Sequence, residues 1–255
     1  MKKNIIIVGY PKSGTTWLSR LVAELVSCPL QGDWGYDKIE ALYKEGSERD
    51  SDYQVYKSHH SFNELEEASS LIIYKTIYII RDPRDVVISG LHYFSFLPRL
   101  LAKNKVIYKI NSTLKKTYNR LVSNKEKKRQ MIDAVLNGNL KINLWFASSW
   151  KEHSIAYLDK DVLIIKYEDL IDSPEFESQK ILGYLGIKKN ENHIKKSIAS
   201  QSFQNRKLKD KRGRNNHQKK LLRKGTYGSW QKELTNEEID QFRNKLKDIN
   251  SLYDF

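Results

Sequence analysis

Apolar residues along the chain come in short unbroken runs, separated by stretches in which they recur every three or four positions. Residues 5–8 are continuous, β-branched and closed by Gly9, which predicts a buried strand. After a glycine-bearing turn, Trp17, Leu18, Leu21, Val22, Leu25 and Val26 share one face of a helix predicted over 16–26. The pattern then predicts strands over 53–57 and 76–80, a helix over 85–94 and a strand over 162–165. A turn at 172–174 and a helix from 175 to 185 follow, with Gly186 suited to end it. Strands alternating with helices predict an α/β fold with a central, mostly parallel β-sheet flanked by helices on both faces. Ligands of such sheets lie beyond the carboxyl ends of the strands, so the residues after each strand are where chemistry is expected.

No repeat or Pro/Gly/Ser-rich linker divides the 255 residues, so a single domain over 1–255 is expected. The one cysteine, Cys28, excludes an intramolecular disulfide framework and a cysteine-rich zinc site, and fits a reducing, cytoplasmic location. The apolar run 5–8 is too short for a signal-peptide core, and no stretch approaches the ~20 apolar residues of a membrane span. Charge adds more. The net +14 is uneven: residues 99–129 hold 11 Lys/Arg against 1 Asp/Glu, and residues 188–224 hold 14 against 2. This segregation makes a locally positive surface on an otherwise acidic body, suited to nucleic acid, an acidic membrane or a multiply phosphorylated small ligand.

The first strand leads into Gly9-Tyr10-Pro11-Lys12-Ser13-Gly14-Thr15-Thr16-Trp17. A strand, a glycine loop and a helix start direct backbone N–H groups and the helix dipole at an anion. A nucleotide-triphosphate loop would end Gly-Lys-Ser/Thr, but Thr15 stands at the lysine position and Lys12 comes earlier. The second strand ends Lys57-Ser58-His59-His60, which offers an imidazole able to accept a proton near neutral pH. The third runs into Arg81-Asp82-Pro83-Arg84-Asp85, with Ser89 two helical turns on; an arginine with a hydroxyl suits a second phosphate, unless Arg81 pairs with a neighbouring aspartate. Near the C-terminus, Arg223-Lys224-Gly225 combines two cations with a glycine. The polar, basic segment over 207–224 is expected to be a mobile lid that orders over an anionic ligand.

Four separated motifs, in one order and spanning nearly the whole chain, resemble one family. They are Tyr10-Pro11-Lys12-Ser13-Gly14-Thr15-Thr16-Trp17, Arg81-Asp82-Pro83-Arg84-Asp85 with Ser89, Tyr167-Glu168-Asp169-Leu170, and Arg223-Lys224-Gly225. The sequence is similar to the sulfotransferases that use 3′-phosphoadenosine 5′-phosphosulfate (PAPS), in particular the soluble cytosolic-type branch and its bacterial small-molecule enzymes. The resemblance implies a P-loop-like sulfotransferase fold and a metal-independent transfer of the sulfuryl group from PAPS to a small-molecule hydroxyl or amine, releasing adenosine 3′,5′-bisphosphate (PAP). It implies that Lys12, Ser13, Gly14, Thr15 and Thr16 hold the 5′-phosphosulfate, that Trp17 and Phe203 stack on the adenine, and that Tyr167 contacts base and ribose. Arg81, Ser89, Arg223, Lys224 and Gly225 would bind the 3′-phosphate. His59 would be the base, with Lys57 and Lys12 neutralising the transferring and leaving groups.

The sequence departs from the family pattern at Gln201, where threonine is usual, at Gly228-Ser229-Trp230 in place of Gly-Asp-Trp, and at His60-Ser61 in place of Leu-Pro. The segment from Leu234 lacks the valine expected of the family's dimerisation segment, so a dimer is not inferred. Residues 31–52 hold 7 Asp/Glu against 3 Lys/Arg, with Trp34, Tyr36 and Tyr43, and are expected to form an acidic, aromatic wall favouring a cationic, guanidine- or amine-bearing acceptor. Residues 95–130 are expected to form a helical cap on the acceptor side. Two other readings compete. A P-loop kinase needs the absent loop lysine and a magnesium-holding aspartate. A nucleic-acid-binding module is disfavoured by the few aromatics in residues 188–224 and by the lack of any zinc-finger spacing.

Overall fold

The computed structural model describes residues 2–35, 44–94, 96, 121–139, 142, 146–212, 225–249 and 252–253. In chain order the elements are β1 (Lys3–Val8), α1 (Thr15–Val26), β2 (Leu30–Asp33), β3 (Tyr53–Ser58), α2 (Phe62–Leu65), β4 (Ile73–Ile80) and α3 (Pro83–Tyr93). Then come α4 (Asn124–Asn137), α5 (Trp150–Leu158), β5 (Leu163–Lys166), α6 (Tyr167–Asp172), α7 (Pro174–Leu185), α8 (Glu191–Gln201) and α9 (Phe203–Arg212). The last helices are α10 (Trp230–Glu233) and α11 (Asn236–Leu246). The chain forms two compact units, Met1–Arg81 with Ser154–Thr226, and Asp82–His153 with Tyr227–Phe255.

The first unit contains the sheet, ordered β2-β3-β1-β4-β5 with every pairing parallel. Ile5, Ile6, Ile7 and Val8 are all buried, as expected of a central strand covered on both faces. Ile5, Ile7, Val55, Ile77, Ile79 and Ile165 form one core with Leu18, Leu21, Val22 and Leu25 of α1 and Ile181, Leu182 and Ile194 of α7 and α8. Each fully buried side chain of this kind contributes about 1.5–3 kcal/mol. Beneath the other face, Tyr78 of β4 stacks on Tyr157 of α5 with centroids 4.5 Å apart. The α1 helix ends at Ser27 in a left-handed conformation, and Arg49 Nη1 donates to the terminal carbonyls of Ala23 and Cys28 at 3.2 Å.

Two of the differences from the sequence expectation have a clear physical cause. Edge strand β2 falls inside the stretch read as an acidic connection; Gly32 and two polar residues hide its alternation, and its register on β3 (Leu30 to Val55, Asp33 to Lys57) comes only from tertiary pairing. Helix α3 begins at Pro83, because the Asp82 side chain accepts the Arg84 N–H at 2.8 Å and proline suits the first helical position.

Within the second unit, Gly90 of α3 lies so close to Met131 of α4 that a Cβ would overlap its methyl. Phe94 meets Phe146 edge-on at 5.0 Å. Lys128 donates to the Glu233 carbonyl and pairs with Glu238, both at 2.9 Å, which ties α4 to α10 and α11. Residues 97–120 of the expected cap and 213–224 of the expected lid lie outside the described residues, and the beginning of that lid is the C-terminal half of α9.

Candidate active site

The loop after β1 is built to face an anion. Lys12 has φ 70° and Gly14 φ 102°, so the chain turns left-handed twice before entering α1. At Gly14 this conformation coincides with close packing: a Cβ would stand 2.7 Å from the Tyr167 ring. Helix α1 has no acidic residue in its first turn, so no carboxylate of that turn competes for the amides at its positive end. Ser13 Oγ is fully buried and has no hydrogen-bond partner among the described residues. An orphaned buried hydroxyl beside a helix N-terminus fits an anionic ligand, whose oxygens would satisfy it.

His59 stands on this loop. Its Nδ1 lies 2.7 Å from the Gly9 carbonyl oxygen. A carbonyl only accepts, so neutral His59 carries its proton on Nδ1 and its lone pair on Nε2, the tautomer of a general base. Ser58 Oγ accepts the His60 backbone N–H at 3.1 Å and lies 2.8 Å from His60 Nδ1. Burial lowers the His60 pKa, with the Glu64 and Asp33 charges opposing.

Lys57 is 2% exposed, and its Nζ lies 2.7 Å from Asp33 Oδ1. Burial lowers the pKa of this ammonium, Asp33 opposes through charge and hydrogen bond, and Arg20 adds to the lowering. Sequence reasoning missed Asp33, because nothing marks it until β2 pairs with β3.

Arg81 directly follows the last residue of β4 and is buried. Its guanidinium lies 4.1 Å from the Tyr167 ring centroid and donates to the carbonyls of Lys12 (3.3 Å) and Thr226 (3.1 Å). Arg84 takes the Asp82 carboxylate in a fork at 2.7–3.1 Å. Trp17 meets Tyr167 edge-on at 5.6 Å and donates its indole N–H to the Gln201 carbonyl at 3.1 Å. Phe203 packs where a Gly225 Cβ would be, and Gly225 has φ 67°. The first unit therefore brings together Lys12, Ser13, Gly14, Thr15, Thr16, Trp17, Tyr167 and Arg81, with His59 on Gly9 and Phe203 on Gly225. Ser89 is partly buried on α3 in the second unit; Arg223 and Lys224 lie outside the described residues.

Part of the expected acidic, aromatic wall faces inward. Trp34 is fully buried, donates to the Leu65 carbonyl at 2.8 Å and meets Tyr56 edge-on, because a large indole next to an edge strand has more to gain in the core. Glu45 is held by Arg20 and Arg206 at 2.7 and 3.0 Å, and Asp33 by Lys57. Tyr36 and Tyr43 lie outside the described residues.

The family model described as "Sulfotransferase domain" matches residues 2–250. The chain belongs to the sulfotransferase family. It is 27% identical to Sulfotransferase 2A1 of Rattus norvegicus, over 94% of this chain and 82% of that protein. It is 22% identical to an amine sulfotransferase of Oryctolagus cuniculus, over 94% and 78%. A crystal structure of mouse sulfotransferase SULT7A1 complexed with PAP has the same fold, with a TM-score of 0.66 and 21% identity over 97% of this chain and 84% of that one. The P-loop kinase reading is not favoured by these likenesses. In this sulfotransferase, Ser229 stands where the family usually has an aspartate, and Asp85 serves that turn by accepting the N–H groups of Gly228 and Trp230 at 2.5 and 3.3 Å.

Proposed function

We propose that this protein transfers the sulfuryl group of PAPS to a hydroxyl or amine of a small-molecule acceptor and releases PAP. The observation that carries the reading is the Gly9–His59 bond, which joins a correctly tautomerised base to a loop shaped for an anion. PAPS supplies an electrophilic sulfur and an anionic leaving phosphate. Nε2 of His59 takes the proton of the acceptor O–H or N–H as the new bond to sulfur forms, while the bond from sulfur to the bridging phosphate oxygen breaks; the imidazolium then returns its proton to solvent. Ser13, Thr15, Thr16 and the loop amides hold the 5′-phosphosulfate, Lys12 offsets charge on the leaving phosphate and Lys57 on the transferring group. Trp17, Phe203 and Tyr167 receive the adenosine. The assignment of Arg81, Ser89, Arg223, Lys224 and Gly225 to the 3′-phosphate rests on their motifs.

The single-domain reading, with a helical cap and a ligand-ordered lid, remains part of this proposal. Its lid is tested by proteolysis at 207–224 with and without PAP: equal cutting contradicts it. A cationic acceptor drew on acidic residues of which Asp33 and Glu45 already pair with protein cations, so the acceptor class proposed is the broader hydroxyl or amine. The test of function is incubation with PAPS and a panel of phenols, alcohols and amines, followed by mass spectrometry. A product heavier by one SO₃ is expected; cationic acceptors far outpacing phenols would restore the refinement, and no sulfated product from any acceptor would contradict the reading.

A further inference from the structure

We infer that Asp33 is a positioning residue of the transfer site: it holds the Lys57 ammonium in place and keeps it charged inside the fold. This rests on the proposed role of Lys57 in sulfuryl transfer. The argument starts from register. Asp33 ends edge strand β2 directly opposite Lys57 of β3, so both side chains rise on the same face of the sheet, the face covered by α1. The neighbour of Lys57 on its other side is Ile7 of β1, which offers no charge. Nζ and Oδ1 lie 2.7 Å apart, with the lysine side chain 2% exposed and the aspartate 16%.

A buried ammonium without a counter-ion neutralises, because desolvation penalises only its charged form. Two charged groups among the described residues act on Lys57 in opposite directions. Asp33 opposes the loss of the proton and Arg20 of α1 favours it. Arg20 is itself paired with Glu45, which also holds Arg206. Asp33 also acts on the His60 imidazole, as does Glu64. Removing the charge of Asp33 takes away the carboxylate that opposes burial and Arg20, and drives the Lys57 pKa further down. The lysine is cationic only below its pKa, so the variant loses the cation as pH rises. Each unit by which that pKa falls below the assay pH leaves about tenfold less cationic lysine.

The test uses the full chain as wild type, Asp33→Asn, Asp33→Glu and Lys57→Met. The first readout is the pH titration of ¹³C-labelled lysine side chains by NMR, with Lys57→Met assigning the Lys57 signal. In Asp33→Asn this signal is expected to titrate at least one unit lower than in wild type, with Asp33→Glu near wild type. The second is the pH–rate profile with PAPS. Asp33→Asn is expected to lose about tenfold or more in kcat on the alkaline side and recover as pH falls. Lys57→Met is expected to lose rate at every pH, with Asp33→Asn adding no further loss in that background. An unshifted Lys57 signal in folded Asp33→Asn overturns the proposal, as does a pH-independent loss that adds to Lys57→Met. The titration reads Asp33 without turnover, so failure of the sulfotransfer reading is seen separately. Should Asp33→Asn not fold, the neutral Asp33→Ser takes its place: a lowered Lys57 signal with loss of rate on the alkaline side supports the proposal, and wild-type values of both contradict it.

Discussion

Gly14→Ala separates loop architecture from ordinary helix propensity. The backbone at Gly14 has φ 102°, where an L-residue costs about 1–2 kcal/mol. Its new Cβ would stand 2.7 and 3.0 Å from two carbons of the Tyr167 ring and 3.3 Å from Ile79 Cδ1. The ring is held by the Arg81 guanidinium on its face and Trp17 at its edge, so moving it disturbs both contacts. Relieving such an overlap adds about 1–3 kcal/mol. The sum is about 2–5 kcal/mol, or a fall in Tm of about 4–20 °C at this chain length. Gly183→Ala is the internal control. Gly183 lies within α7, and a Cβ there meets nothing within 4 Å, so the helix gains about 0.5–1 kcal/mol. Thermal unfolding of the two variants followed by circular dichroism is the assay, with calorimetric titration of PAP alongside. Gly14→Ala is expected to melt lower and bind PAP more weakly, and Gly183→Ala to melt slightly higher with unchanged binding. Equal melting of Gly14→Ala and wild type would refute the steric reasoning.

Other outcomes follow from the same contacts. His59→Ala is expected to lower turnover by about 10²–10⁴ with PAP affinity retained; turnover within a few-fold of wild type would remove His59 from proton transfer. Cys28 is fully buried and its thiol is pushed up to about 12, chiefly by burial, so at pH 8 only about 10⁻⁴ of it is thiolate. Iodoacetamide should therefore label it in denaturant but not in the native protein, and fast native labelling would show that its surroundings open. Asp85→Ala leaves the N–H groups of Gly228 and Trp230 without their acceptor and should cost about 1.5–3 kcal/mol in urea unfolding; an unchanged midpoint would mean the turn holds itself.

The sheet and its ligand-facing end were legible because their signals are local. Ile5, Ile6 and Ile7 form an unbroken β-branched run, and Trp17 to Val26 keep helical spacing, so β1, α1 and the loop between them follow from the sequence alone. Pairings between distant residues were not legible. Asp33 looked like part of an acidic connection until the β2 register put it opposite Lys57. Trp34 looked like a candidate contact for an acceptor, yet its indole N–H finds the Leu65 carbonyl in the core, a partner no spacing announces. The motif Arg81-Asp82-Pro83-Arg84-Asp85 marked an important place, but its division of labour came only from coordinates. Arg81 joins the Lys12 and Thr226 carbonyls, Asp82 caps α3 and holds Arg84, and Asp85 anchors the turn at Gly228.

The most direct measurement of the central claim is isothermal calorimetry of the full chain with adenosine 3′,5′-bisphosphate and with AMP. A site that grips both phosphates should favour the bisphosphate by about a hundredfold or more, since one charge-assisted phosphate contact set is worth at least about 3 kcal/mol. Equal affinity for the two nucleotides would contradict it.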